Sequence, residues 1–158
     1  LSLKETLTDT FSNAQIDSLL YTSYGYTIFM TSEATINDLI SSGNLNIISN
    51  DTLRSYVASW QAELKGIRAY EEITKNNANN ISGMLDEIVD RNNYIRYDRP
   101  LMSDSKRKQL LSDSKFRNTL YNLGQFSTML NNRYEQKRTK IDTIIQIIDR
   151  EYQRFYND

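Results

Sequence analysis

A chain of 158 residues fits one domain by length, and a domain of that size buries roughly 70% of the surface its unfolded chain exposes, so it needs no covalent staple. It contains neither cysteine nor histidine, which excludes disulfides, thiolate chemistry, metal sites built on either residue and the usual general base near neutral pH. Acids and bases nearly cancel to a formal charge of −1, so no whole-chain field steers the protein toward nucleic acid or acidic lipid.

One proline and five glycines favour long, uninterrupted helices, and the expected fold class is all-α. The chain opens on Leu1 rather than methionine, which predicts a trimmed or processed terminus. Ser2 with Glu5 reads as a capping box, and Ser12 or Asn13 as the cap of a helix running through Leu20 to Tyr24. "YTSYGYTIFM", residues 21–30, then gathers Tyr21, Tyr24, Tyr26 and Phe29 around Gly25.

Ile36, Leu39 and Ile40 form one face of a short helix that should end at Gly43, the residue type that adopts a left-handed C-terminal conformation without steric cost. Leu45, Ile47 and Ile48 follow in a segment too short for another helix, and are expected to fold back as an apolar plug. Ser49, Asn50 and Asp51 offer a cap for a restart, with Asp51 also matching the positive end of the helix dipole.

From there Leu53, Val57, Trp60, Leu64 and Ile67 keep a three-four rhythm. Ile81, Leu85 and Ile88 resume it after Glu71, Thr74 and Ala78, predicting one long helix over about 52–91. Glu71 with Lys75 and Glu87 with Arg91 read as stabilising pairs on an exposed face. The polar run "TKNNANN", residues 74–80, marks the place for a kink or a water-filled gap.

The connection that follows carries Pro100, with a short helical turn near Lys106 to Leu111 and Asp113 or Ser114 capping what comes next. A second long helix over about 114–156 is predicted by Phe116, Leu120, Leu123, Leu130, Tyr134, Ile141, Ile144, Ile148, Tyr152 and Phe155, interrupted only by Ser127 and Lys137. Extra apolar positions widen this stripe beyond a two-stranded seam. The expected architecture is an elongated antiparallel helical bundle built on these two long helices, with shorter N-terminal helices beside them, as a single domain over 1–158.

"TINDLISSGNLNIISNDTLRSYVASW", residues 35–60, resembles a signature of an uncharacterised family of membrane-anchored proteins from Bacteroidetes, known only as a domain of unknown function. There a helix, a Ser-Gly turn, an apolar plug and an Asn cap lead through Leu-Arg into a long helix. "SDSKFRNTLYNL", residues 112–123, is similar to the opening of that family's final helix. The resemblance implies one N-terminal transmembrane helix followed by a helical soluble domain on the periplasmic side of the inner membrane. This chain would then be the soluble part, without its anchor. The family implies no activity, ligand or catalytic residue.

Read for chemistry, the residues offer little. Asp86, Glu87 and Asp90 cluster at a spacing that could hold a hard cation, though it matches no calcium loop, and a solvated face is the simpler reading. Arg96, Arg99, Lys106, Arg107 and Lys108, near Tyr94 and Tyr97, have the makings of an anionic surface contact but are diluted by Asp98 and Asp104. "SDSK", residues 112–115, fits Ser-x-x-Lys formally yet falls where a helix cap is needed, and no glycine-rich phosphate loop or nucleophile elbow exists.

Tyr21, Tyr24, Tyr26 and Phe29 are therefore the expected interaction surface, because aromatics offer large contact area with few torsions to freeze. No catalytic, cofactor or metal residue is assigned, and no nucleic-acid partner is expected. The resulting expectation is a non-enzymatic periplasmic domain of a membrane-anchored protein, binding a partner protein or small ligand. A structural oligomerisation module is the alternative, and a metal-dependent hydrolase built on the 86–90 acids a more remote one.

Overall fold

The computed structural model of the chain describes residues 11–23, 25–89 and 102–157. Over these residues it is an all-α helical bundle. Its elements are α1 (Asn13–Thr22), α2 (Ala34–Ser41), a 3-10 helix (Asn44–Ile47), α3 (Asp51–Asp86), α4 (Asp104–Ser112) and α5 (Ser114–Asn157). Two helices dominate, as the periodicity predicts.

The punctuation of the chain follows local chemistry. Ser12 closes a full capping box with Gln15 at the start of α1, and the helix ends at Thr22; the expected capping box at Ser2 and Glu5 lies outside the described residues. Gly43 takes the left-handed conformation, φ 72°, directly after α2, where any side chain would be strained. Of the three possible caps before α3 it is Asn50 that serves, its Oδ1 accepting from Leu53 N at 3.0 Å. Before α5 the cap is Asp113, accepting from Phe116 N at 2.8 Å.

The structure bears on three expectations. The plug is only partial: Leu45 and Ile48 are half-buried, but Ile47, on the outer side of the 3-10 turn, is 70% exposed. The polar run at 74–80 does not interrupt α3: Asn76, Asn79 and Asn80 are exposed, while Thr74 and Ala78 occupy the inward positions and are buried. The helix also stops at Asp86, short of the expected residue 91. Ile88 N and Val89 N both close back onto Leu85 O, and the Lys106 ammonium donates to Ile88 O at 3.0 Å, which satisfies a terminal carbonyl without further helix.

The chain divides into two compact units, Leu1–Thr27 with Glu72–Ser127, and Ile28–Glu71 with Thr128–Asp158. The polar positions Glu71, Thr74 and Ser127, which interrupt the apolar rhythm, sit at or near these divisions.

In the first unit, Ile16 and Leu20 of α1 join Ala78, Ile81 and Leu85 of α3, Leu110 and Leu111 of α4, and Phe116 and Leu123 of α5 in one core. Asp17 lies between the two core residues of α1 and is itself buried; Arg107 of α4 meets it with two bonds, Nε to Oδ1 and Nη2 to Oδ2, both 2.8 Å. The same guanidinium donates to Asp104 at 2.7 Å and to Met102 O at 2.9 Å. Burial works against the Arg107 charge, but the Asp17 hydrogen bonds come first and raise its pKa further above the ordinary value.

In the second unit, Trp60, Leu64 and Ile67 of α3 pack with Leu130 of α5, and Phe29, Ile36, Tyr70, Tyr134, Ile141 and Ile144 close around them. Contacts here run head to tail: Glu71 meets Tyr134, Glu63 meets Lys137, and Asn50 meets Glu151, so each step up α3 is a step down α5. The short α2 is fastened beside α3 by polar bonds, Gln61 donating to Glu33 and Asn37, and Arg68 to Glu33.

Candidate functional site

The inward face of α5 in the second unit follows Leu130, Tyr134, Lys137, Ile141 and Ile144, so helical geometry alone carries Lys137 inward. It is 4% exposed, and its ammonium reaches the Glu63 carboxylate at 3.0 Å. The Lys137 Nζ also lies 3.4 Å from the centroid of the Trp60 ring.

One turn further along, Lys140 donates to the other oxygen of Glu63 and to Ser59 Oγ at 2.8 Å, with its ammonium 4.5 Å from the centre of Tyr56. One turn earlier, the Arg133 guanidinium lies 4.1 Å over Tyr70. Three cations of α5 are thus laid against three aromatic faces of α3. Contacts of that kind contribute about 0.5–2 kcal/mol each, according to how far the cation is desolvated.

These side chains enclose a cleft of about 260 Å³ lined by Glu63, Ile67, Arg133, Gln136, Lys137 and Lys140. Its charge does not balance. Three cations face one carboxylate, and no carboxylate lies within ion-pair distance of Arg133 among the described residues. Burial pushes the Glu63 carboxyl up, but hydrogen bonds from Lys140, Lys137 and Ser59, with the Lys137 charge, outweigh it and hold the group at about 2. Burial lowers the Lys137 pKa, against the pull of Glu63 and with the added repulsion of Lys140. Such an arrangement leaves a net positive charge in the cleft.

No family model, curated protein or solved structure matches the chain. The cleft must therefore be read from its own chemistry.

A second cavity of about 300 Å³ is lined by Phe29, Tyr134, Glu135, Lys137, Arg138 and Ile141. Here Glu71 is the organising group. Its Oε1 accepts from Phe29 N at 2.6 Å and from Tyr134 Oη at 2.7 Å, which ties the extended segment before α2 to both long helices of this unit. Burial, then the Glu71 bond and charge, raise the Tyr134 hydroxyl above its ordinary value. Glu71 is buried, so the expected exposed pair with Lys75 is replaced by these inward bonds.

Of the expected interaction residues, Phe29 lines this second cavity and stacks at a tilt on Tyr134, centroids 6.2 Å apart. Tyr21 sits at the end of α1 in the first unit, half-buried, and Tyr26 is exposed in the segment that follows; Tyr24 lies outside the described residues.

In the expected basic patch, Arg107 is not available to a ligand because Asp17 and Asp104 consume it, while Tyr94, Arg96, Tyr97, Asp98 and Arg99 lie outside the described residues. Asp86 is the last residue of α3 and Glu87 stands in the turn after it, and Asp90 lies outside the described residues. No group of three metal-capable side chains occurs among the described residues. The SDSK serines flank the α5 cap.

Sequence reasoning did not single out Glu63, Arg133 or Lys140. The available signal was Lys137, a charge set at an inward phase of an otherwise apolar stripe.

Proposed function

We propose that this chain is a non-enzymatic helical binding domain, and that the cleft of the second unit is where it takes an anionic ligand or partner group. The supporting observation is the uncompensated charge of that cleft: Arg133, Lys137 and Lys140 are held in place by aromatic faces around a single carboxylate.

The tether to a membrane is part of the family resemblance and would need a segment outside the described residues, because no helix among them is long and apolar enough to cross a bilayer. The full-length gene should encode an upstream apolar run of about twenty residues. For the binding itself the test is thermal unfolding against a panel of anionic, neutral and cationic small molecules and acidic peptides. A ligand at a hundred times its Kd adds about 2.7 kcal/mol to stability by mass action. Anions should stabilise the chain where neutral and cationic compounds do not; a panel in which no anion does so overturns the reading.

A second reading has its own observation. Ile145, Ile148 and Tyr152 are each about half exposed along one side of α5 at three- and four-residue steps, the spacing of a helix-pairing seam. On this reading the chain is an oligomerisation module that pairs α5 with a second copy. Light scattering over a hundredfold concentration range decides it, since a strict monomer throughout removes the module.

A further inference from the structure

We propose that the cleft lined by Glu63, Arg133, Lys137 and Lys140 is a site for a small dianion, a phosphate monoester or a dicarboxylate, with Arg133 as its docking group. This deepens the binding-domain reading and rests on it.

Charge sets the class. Lys137 is committed to Glu63 and buried, and Lys140 divides its donors between Glu63 and Ser59, so the three cations exceed the one carboxylate by two. A dianion brings the cleft to neutrality, whereas a monoanion leaves one buried or half-buried cation uncompensated.

Geometry selects Arg133. Tyr70 covers one face of its guanidinium, and the in-plane N–H groups are the part left to bind. Such a planar fork suits the paired oxygens of a carboxylate or phosphate. Across from it stands Gly66, where an added Cβ would come into ordinary contact with Nη1 at 3.7 Å, so the lack of a side chain there leaves that edge of the guanidinium uncovered. Gln136 adds an amide at the rim, able to donate to one ligand oxygen or accept from a hydroxyl.

Size narrows the choice further. The cleft, about 260 Å³, holds roughly nine waters at their liquid volume. That admits a small phosphate ester or dicarboxylate and is too little for a folded peptide segment.

The chain carries its own reporter, because Trp60 is its sole tryptophan and the Lys137 ammonium rests on that ring. The experiment is a titration of Trp60 emission at constant ionic strength with inorganic phosphate, glycerol 3-phosphate, succinate and acetate, with thermal unfolding followed in parallel for binding that leaves the emission unchanged. The expected result is saturable binding of at least one dianion, tenfold or more tighter than acetate. Arg133→Met, with its fold verified by circular dichroism, should weaken it at least tenfold, and Arg133→Lys should restore part. Phosphate compounds alone or succinate alone responding tells the two sources apart, and either supports the site.

No response to any dianion, or an affinity unchanged in Arg133→Met, overturns the proposal. If acidic peptides or larger organic anions stabilise the chain while the small dianions do not, the dianion site falls and the binding-domain reading stands. If nothing anionic binds, both fall.

Discussion

Replacing Arg107 with methionine is the sharpest test of the packing described for the first unit. The guanidinium and the Asp17 carboxylate are 4% and 1% exposed, joined by two parallel bonds of 2.8 Å. Methionine keeps much of the side-chain volume but removes both bonds, and leaves the Asp17 charge buried opposite an apolar chain. Breaking a buried pair from one side costs about 3–5 kcal/mol. Loss of the Asp104 contact adds little, because that partner is 72% exposed and such pairs contribute at most about 1 kcal/mol. With a urea dependence of about 2 kcal/mol per molar, the midpoint should fall by about 1.5–2.5 M. The double variant Asp17→Leu with Arg107→Met removes both charges and should recover most of that loss, since an apolar replacement of a buried pair is often neutral or better. Urea unfolding of the parent, both single variants and the double variant supplies the full cycle. A loss below about 1 kcal/mol in Arg107→Met, or a double variant as weak as the two singles combined, would refute the reasoning.

The remaining predictions concern the second unit and the helix interiors. Glu63 titrates at about 2 in the folded chain against 4.5 ordinarily. A depressed folded pKa means its contribution is complete above pH 4.5 and is lost as pH falls from there toward 2. Urea midpoints measured at pH 6, 4 and 3 should fall less steeply in Glu63→Gln than in the parent, and equal slopes would count against the Lys137 and Lys140 bonds. Tyr134→Phe removes one of the donors on buried Glu71 and should cost about 1–3 kcal/mol in the same assay. Gly83 lies inside α3 with open space where a Cβ would go, so Gly83→Ala should add about 0.5–1 kcal/mol, whereas Gly43→Ala, at φ 72°, should cost about 1–2 kcal/mol. Thermal melts of the two glycine variants should therefore move in opposite directions.

The two long helices were legible because each repeats its apolar positions over many turns, and a repeat that long has no reading other than helix. Their starts were legible from single side chains: Asn50 and Asp113 hold oxygens where the first free N–H groups of a helix need them. The corner at Gly43 followed from its lack of a Cβ. What periodicity hides is the identity of a partner. Glu71 and Arg107 each read as ordinary surface charges, and each is buried because a group far away in the chain meets it: Tyr134 lies 63 residues from Glu71, and Asp17 lies 90 from Arg107. Lys137 was visible as a break in the α5 stripe, yet its carboxylate stands 74 residues away on α3. Only the register of two antiparallel helices brings them together, and the long connection before α4 leaves that register open to a reader of the sequence.

Two buried cations in this protein solve the same physical problem in different ways, and the difference is the argument for a binding role. Arg107 is nearly saturated: four of its five N–H donors end on Asp17, Asp104 and Met102 O, with the carboxylate opposite nearly sealed from solvent. A group so placed can rigidify a core and, at 4% exposed, has almost no surface to offer a ligand. The cleft around Lys137 is built the other way. Its single carboxylate is 36% exposed and shared by two ammonium groups, and Arg133 is anchored by a ring rather than by an acid. Aromatic faces hold cations in position without neutralising them, so the positive potential survives where solvent reaches it. A second carboxylate at the rim would have closed the site as Asp104 helps close the one around Arg107. Its absence among the cleft residues leaves excess positive charge that the chain itself does not neutralise, and this is the charge the proposed anion would meet.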